Sequence, residues 1–165
     1  MTNILIAGIG NIFFGDDAFG CEVIKKLYAR PIPENVRVID FGIRGFDLAY
    51  ALMDDHYDLA ILVDALPRGG QPGTLYTIEP EVETISPEDA AIETHGMNPV
   101  KVFQLVRAMG GEIKRVVIVG CEPETLGPDE GSMGLSEPVE AAIDKAVRLV
   151  ESLVESFSNA NQLLH

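Results

Sequence analysis

The chain has 165 residues, 47% of them hydrophobic and 23% charged, with no tryptophan; that is the composition of one globular domain, long enough to bury roughly two-thirds of its unfolded surface on folding. Its 26 acidic residues against 12 basic ones give a formal net charge of −14. That balance argues against nucleic acid, which is held by lysine and arginine neutralising phosphates, and against anionic membrane surfaces. The acid excess reads as a solubilising surface or as attraction of a cationic or metal-bearing partner, and charge alone does not choose between them.

In chain order, MTNILIAGIG lacks a basic leader and soon meets Asp16 and Asp17, so it reads as a first strand rather than a signal peptide. No apolar run approaches the roughly 18 residues of a membrane span, and a cytoplasmic location with no membrane partner is expected. The strand is centred on Asn3–Ala7. A helix follows, with Phe19, Val23, Ile24, Leu27 and Tyr28 at helical spacing, until Pro31 and Pro33 stop it. Val36–Asp40 is the second strand, and Gly42 and Gly45 lead into a short helix carrying Leu48, Ala49, Leu52 and Met53.

Asp58–Asp64 is the third and most hydrophobic strand. Thr74–Ile78 is a fourth, expected at an edge and antiparallel. The segment from Glu79 to Gly96 is a long acidic loop whose length suggests a function. Asn98 is placed to cap a helix that begins at Pro99 and buries Val102, Leu105, Val106 and Met109. Arg115–Gly120 is the last core strand, and Ser136 caps a final helix whose apolar stripe runs from Val139 to Phe157. The domain is thus expected over residues 1–157, with residues 158–165 a tail that frays. Cys21 and Cys121 form no CxxC and read as reduced buried thiols.

Strand–helix alternation of this kind predicts an α/β fold: a three-layer α/β/α sandwich around a mostly parallel, twisted, five-stranded sheet with one antiparallel edge. Ligands in such folds bind beyond the carboxyl ends of the strands, where the strand order reverses. Each core strand here leads to a polar or acidic group there: GIGNIFFGDD, Asp40, Asp64 and GCEPE.

The first loop, GIGNIFFGDDAFG, begins like a dinucleotide-binding turn, and Asp40 stands where a ribose-binding acid would. The third glycine is replaced by Phe13, however, and Asp16 and Asp17 are hostile to a pyrophosphate. The loop is better suited to a cation. Asp17, Asp64 and His95 would make a site of two carboxylates and one imidazole, fit for nickel, zinc or iron and leaving coordination positions open. Each residue keeps a plainer reading as well: helix-end electrostatics for Asp17, a loop hydrogen bond for Asp64 and surface exposure for His95.

Taken together, GIGN-x₄-DDAFG, DFGIRG, VDAL, THGMNP and GCEPETL followed by GLSEPV resemble the hydrogenase maturation endopeptidases, in the right order and over almost the whole chain. The resemblance implies a protease that removes the C-terminal extension of a nickel-iron hydrogenase large-subunit precursor. It implies that Asp17, Asp64 and His95 recognise nickel already inserted in that precursor, so the metal belongs to the substrate. Other divalent ions could occupy the site in isolation. The first-loop acid is often a glutamate in the family, and Asp16 is the neighbour open to confusion with Asp17; on this reading Asp16→Asn does much less than Asp17→Asn. In DFGIRG a phenylalanine replaces a family glycine. With no G-x-S-x-G and no cysteine in a histidine-paired motif, a covalent nucleophile is not expected. Asp40 and Glu122 are the candidates for a general base or for support of the ligands, with loop hydrogen bonding as the alternative.

Overall fold

A computed structural model describes residues 2–54, 56–81, 99–128 and 130–163. Five strands form one sheet: β1 (Ile4–Ile9), β2 (Val36–Gly42), β3 (Leu59–Ala65), β4 (Leu75–Ile78) and β5 (Val116–Cys121). The helices are α1 (Phe19–Tyr28), α2 (Gly45–Leu52), α3 (Pro99–Ala108) and α4 (Glu137–Leu163), with one turn of 3-10 helix over Gly15–Ala18. The sheet order is β2-β1-β3-β5-β4. Every pairing is parallel except that of β4 with β5, which is antiparallel.

The period-2 geometry of the strands explains the layers. From β1, Ile4 and Ile6 point to one face and join α1 and α4 in a core with Phe19, Val23 and Val147. Leu5, Ala7 and Ile9 point to the other face and meet Leu48, Phe103 and Val106 of α2 and α3. Strands β3 and β5 divide their side chains in the same way, with Leu62 and Ile61 fully buried on opposite faces. These three strands are buried on both sides along their whole length, which is why they read as continuous apolar runs. Truncating a side chain such as Leu62 to alanine would cost about 2–5 kcal/mol.

Strand bounds differ from the sequence reading by one or two residues. β1 continues through Gly8 and Ile9, because these pair with Asp40 and Gly42 of β2 across a register shift. α4 is 27 residues long and its helical backbone continues past Phe157 to Leu163. The predicted loop from Glu79 to Gly96, and the Asn98 cap, lie almost wholly outside the described residues.

β2 is an edge strand, and two of its carbonyls are occupied by side chains. The Tyr28 hydroxyl donates to the Val38 carbonyl at 3.0 Å, and the Arg44 guanidinium donates to the Asp40 carbonyl at 2.6 Å. Strand order reverses between β1 and β3, since β2 lies to one side of that pair and β5 to the other. The carboxyl ends of β1 and β3 therefore flank the switch point.

Candidate functional site

Asp17 is carried to the switch point by the 3-10 turn after β1. Gly10 makes that turn possible: its φ is +146°, and a Cβ there would lie 1.9 Å from the Asp17 carbonyl oxygen. The Gly10 N–H also donates to the Gly42 carbonyl at 3.0 Å, tying this loop to the end of β2. Asp17 is half-buried, and its Oδ2 accepts the Asn11 N–H at 2.9 Å. Asp64 is the penultimate residue of β3, in register with Gly120 of β5, and is 4% exposed. Asp40, near the end of β2, is exposed, and its Oδ1 accepts the Gly42 N–H at 2.9 Å.

These three carboxylates all act electrostatically on one side chain. The Cys21 thiol, buried in the first turns of α1, donates to the Gly10 carbonyl at 3.5 Å. Burial pushes its pKa well above the usual thiol range, and the adjacent Asp40, then Asp64 and Asp17, push it further. Charges delivered by the ends of β1, β2 and β3 thus all raise the pKa of a single side chain. Cys21 stays protonated and is a poor nucleophile, in keeping with the absence of a covalent-catalysis motif. The sequence reading treated Cys21 only as a core thiol. The available signal was its position one helical turn beyond Asp17.

Asp16 and Asp17 have opposite surroundings. Asp16 is fully buried. Its Oδ2 accepts the N–H groups of Glu124 at 2.8 Å and Thr125 at 3.1 Å and the Ser136 hydroxyl at 2.7 Å, while Oδ1 accepts the Ser136 N–H at 2.7 Å. Both Asp16 oxygens accept hydrogen bonds from the protein interior, whereas Asp17 is only half-buried. Ser136 does precede α4, and its carbonyl accepts the Glu140 N–H, but its hydroxyl is turned to Asp16.

Glu122, 4% exposed, accepts the Arg68 N–H at 2.9 Å, the Gly70 N–H at 2.8 Å and the Tyr76 hydroxyl at 2.8 Å, all on Oε1. Burial raises its pKa, but these hydrogen bonds and the nearby Arg68 charge outweigh burial and hold the carboxyl below its ordinary value. It fills the loop-bonding role that was the alternative to a general base. The adjacent Cys121 thiol is pushed up to about 12 by burial and by the charges of Asp16 and Glu122.

His95 lies outside the described residues. Among the described residues no group of three histidine, cysteine, aspartate or glutamate side chains is arranged to hold a metal ion; a site of the predicted kind needs His95 to complete it. A surface cavity of about 670 Å³ is lined by Asp40, Cys21, Ile12, Met133, Lys25 and Ile143 among others; of the three carboxylates only Asp40 lines it. Among the described residues no helix is long and apolar enough to cross a membrane.

Comparison with known proteins shows the family of the chain and its fold. The profile of the hydrogenase maturation protease family matches residues 21–153. A putative hydrogenase maturation protease of Methanocaldococcus jannaschii is 35% identical over 148 residues, covering 90% of this chain and 94% of the relative. The solved structure of the hydrogenase maturating endopeptidase HybD from Escherichia coli superposes with a TM-score of 0.76 at 32% identity, covering 94% of each chain. That of the [NiFe] hydrogenase maturation protease HycI from Thermococcus kodakarensis superposes with a TM-score of 0.64 at 29% identity, over 93% of this chain and 91% of the other. With a family profile matched over most of its length and the same α/β fold as these enzymes, the chain belongs to the hydrogenase maturation proteases and is a peptidase.

Proposed function

We propose that this protein removes the C-terminal extension from the precursor of a nickel-iron hydrogenase large subunit, and that it does so by recognising nickel already in the precursor. The observation that supports the reading is that the turn after β1 carries Asp17 and the end of β3 carries Asp64, the two strands whose carboxyl ends flank the strand-order switch point, in a chain of the hydrogenase maturation protease family. The name of the Thermococcus relative supports the nickel-iron class of partner. Asp17 and Asp64 with His95 offer two hard oxygens and one borderline nitrogen, a donor set that accepts nickel without enclosing it. A cation is also favoured by the negative charge of all three carboxylates in a partly buried setting. Nickel is thus cargo of the substrate, bridging the two proteins, and an empty precursor lacks the ion that would join them.

Once the precursor is docked, hydrolysis requires a water to attack the scissile carbonyl, loss of a proton from that water, and protonation of the leaving amine. Asp40 is the most exposed of the three acids and is held by the Gly42 amide, which suits it to take and return that proton. Asp17 and Asp64 orient the precursor.

The test is to incubate the protein with nickel-loaded and with nickel-free precursor and weigh the large subunit by mass spectrometry. Loss of the extension is expected only from the loaded form; equal cleavage of both removes nickel recognition from the account. Asp17→Asn and His95→Ala should remain folded and leave loaded precursor unprocessed, and wild-type rates from both would overturn the site assignment.

A further inference from the structure

The segment GCEPETL begins in the last two residues of β5 and continues beyond it, and it supplies none of the proposed ligands. We infer that its residues Glu122–Thr125 form a two-sided brace that sets the separation of Asp17 and Asp64, with Glu122 and Asp16 acting as positioning residues. The inference rests on the reading of Asp17 and Asp64 as site residues.

On one side, Glu122 holds the loop that leaves Asp64. Its Oε1 collects the amides of Arg68 and Gly70 and the Tyr76 hydroxyl, four to twelve positions beyond Asp64. Its own backbone is fixed by the Thr74 and Gly73 pairings, Glu122 N–H to the Thr74 carbonyl and Gly73 N–H to the Glu122 carbonyl, both at 2.8 Å. On the other side, two residues later, the amides of Glu124 and Thr125 donate to the Asp16 carboxylate, and the Asp16 N–H donates back to the Thr125 carbonyl at 3.0 Å. Asp17 is the next residue. Ser136, at the start of α4, gives Asp16 two further bonds. The Phe13 carbonyl and Gly15 N–H pair with Ser132 at 2.7 Å each, so the turn that carries Asp17 rests on the chain after β5 at several points.

The chemistry favours a brace over a reactive role. Both carboxylates are buried, and their oxygens are filled by seven distinct donor groups in all. A carboxylate so engaged is a rigid acceptor, since moving it would break several part-buried hydrogen bonds at once. Four residues of backbone thus link the loop after β3 to the turn after β1. The distance between Asp17 and Asp64 is held by fixed amides rather than by the long side chains of a surface ion pair.

The test measures kcat and KM for processing of nickel-loaded precursor. Tyr76→Phe and Ser136→Ala each remove one hydroxyl donor and should fold; Asp16→Asn and Glu122→Ala remove the acceptors. At temperatures where circular dichroism shows each variant folded, kcat should fall, by roughly 10- to 100-fold for the acceptor variants and less for the hydroxyl variants, because misplacing reacting groups is costly in rate. KM should stay within about twofold, since no precursor contact is removed. Glu122→Gln keeps the Oε1 acceptor and should restore most of the kcat lost in Glu122→Ala. Lower melting temperatures with wild-type kcat in the folded variants would make these residues merely structural and overturn the inference. A rise in KM at constant kcat would overturn it too, by making them precursor contacts. If Asp17→Asn is inactive while the brace variants are normal, the brace fails and the site reading stands; if Asp17→Asn and Asp64→Asn both process normally, both fail.

Discussion

At the scale of single residues, the two buried carboxylates outside the proposed ligand set are the most informative. Glu122 has a folded pKa below its ordinary 4.5, so the folded state prefers it ionised. Its contribution to stability is complete above the unfolded value and is lost as pH falls through the lower folded value. Urea unfolding from pH 6 down to pH 3 should therefore show a shallower loss of stability in Glu122→Gln than in wild type, because the substituted amide does not titrate. Parallel curves would show that Glu122 is ionised no more readily in the folded protein. Asp16 marks where sequence reading reached its limit. Its neighbour Asp17 could be chosen from the loop pattern, but the partners that separate the two lie 108, 109 and 120 positions away. The expectation that Asp16→Asn does little gives way to one of a marked loss. An asparagine there would aim an NH₂ at amides or a hydroxyl that already donate.

At the scale of elements, the entry of α1 into the fold depends on a glycine at closest approach. A Cβ on Gly20 would lie 2.1 Å from the Val63 carbonyl oxygen and 2.3 Å from that of Ile9; backbone on two strands cannot yield there. Gly20→Ala should lift α1 from the sheet and destabilise the protein by about 1–3 kcal/mol or more, read from urea melts, and processing should fall with it because Asp17 rides on the turn that feeds α1. A melt within error of wild type would show that the helix can shift freely. The elements themselves were legible in the sequence because their periods are unambiguous: NILIA and DLAILVD are strands buried on both faces, and Phe19, Val23 and Leu27 trace one face of a helix. The antiparallel edge at β4 was legible from its turn-rich approach. What was not legible was the extension of β1 into Gly8 and Ile9, which follows from pairing with β2 and not from any preference of glycine for a strand. The placing of Asp17, Asp40 and Asp64 was legible as an ordering of strand ends; the electrostatic influence of all three on Cys21 was not, because it depends on where α1 lies relative to them.

At the scale of the whole molecule, the net charge of −14 acts on folding itself. Among the described residues, Arg30 with Glu151, Arg44 with Asp47 and Arg115 with Glu79 are exposed arginine–carboxylate bridges, each worth little in water beside an excess of 14 acids. Self-repulsion should therefore be relieved by salt. Raising NaCl from about 10 to about 200 mM shortens the screening length severalfold, and the melting temperature should rise by roughly 2–4 °C, the equivalent of about 1 kcal/mol for a chain of this size. A fall would mean that attractive pairs outweigh the net charge.

The occupied edge of β2 bears on a hazard special to a protease that must accept a foreign chain. An open sheet margin next to the site would template strand addition by any extended polypeptide, whether a substrate tail in the wrong register or a second copy of the enzyme. With the Val38 carbonyl taken by Tyr28 and the Asp40 carbonyl taken by Arg44, two of the acceptors such a strand would use are already spent. Fibre-like self-assembly from that margin is discouraged, and an incoming tail is denied a ladder of backbone bonds leading past Asp40.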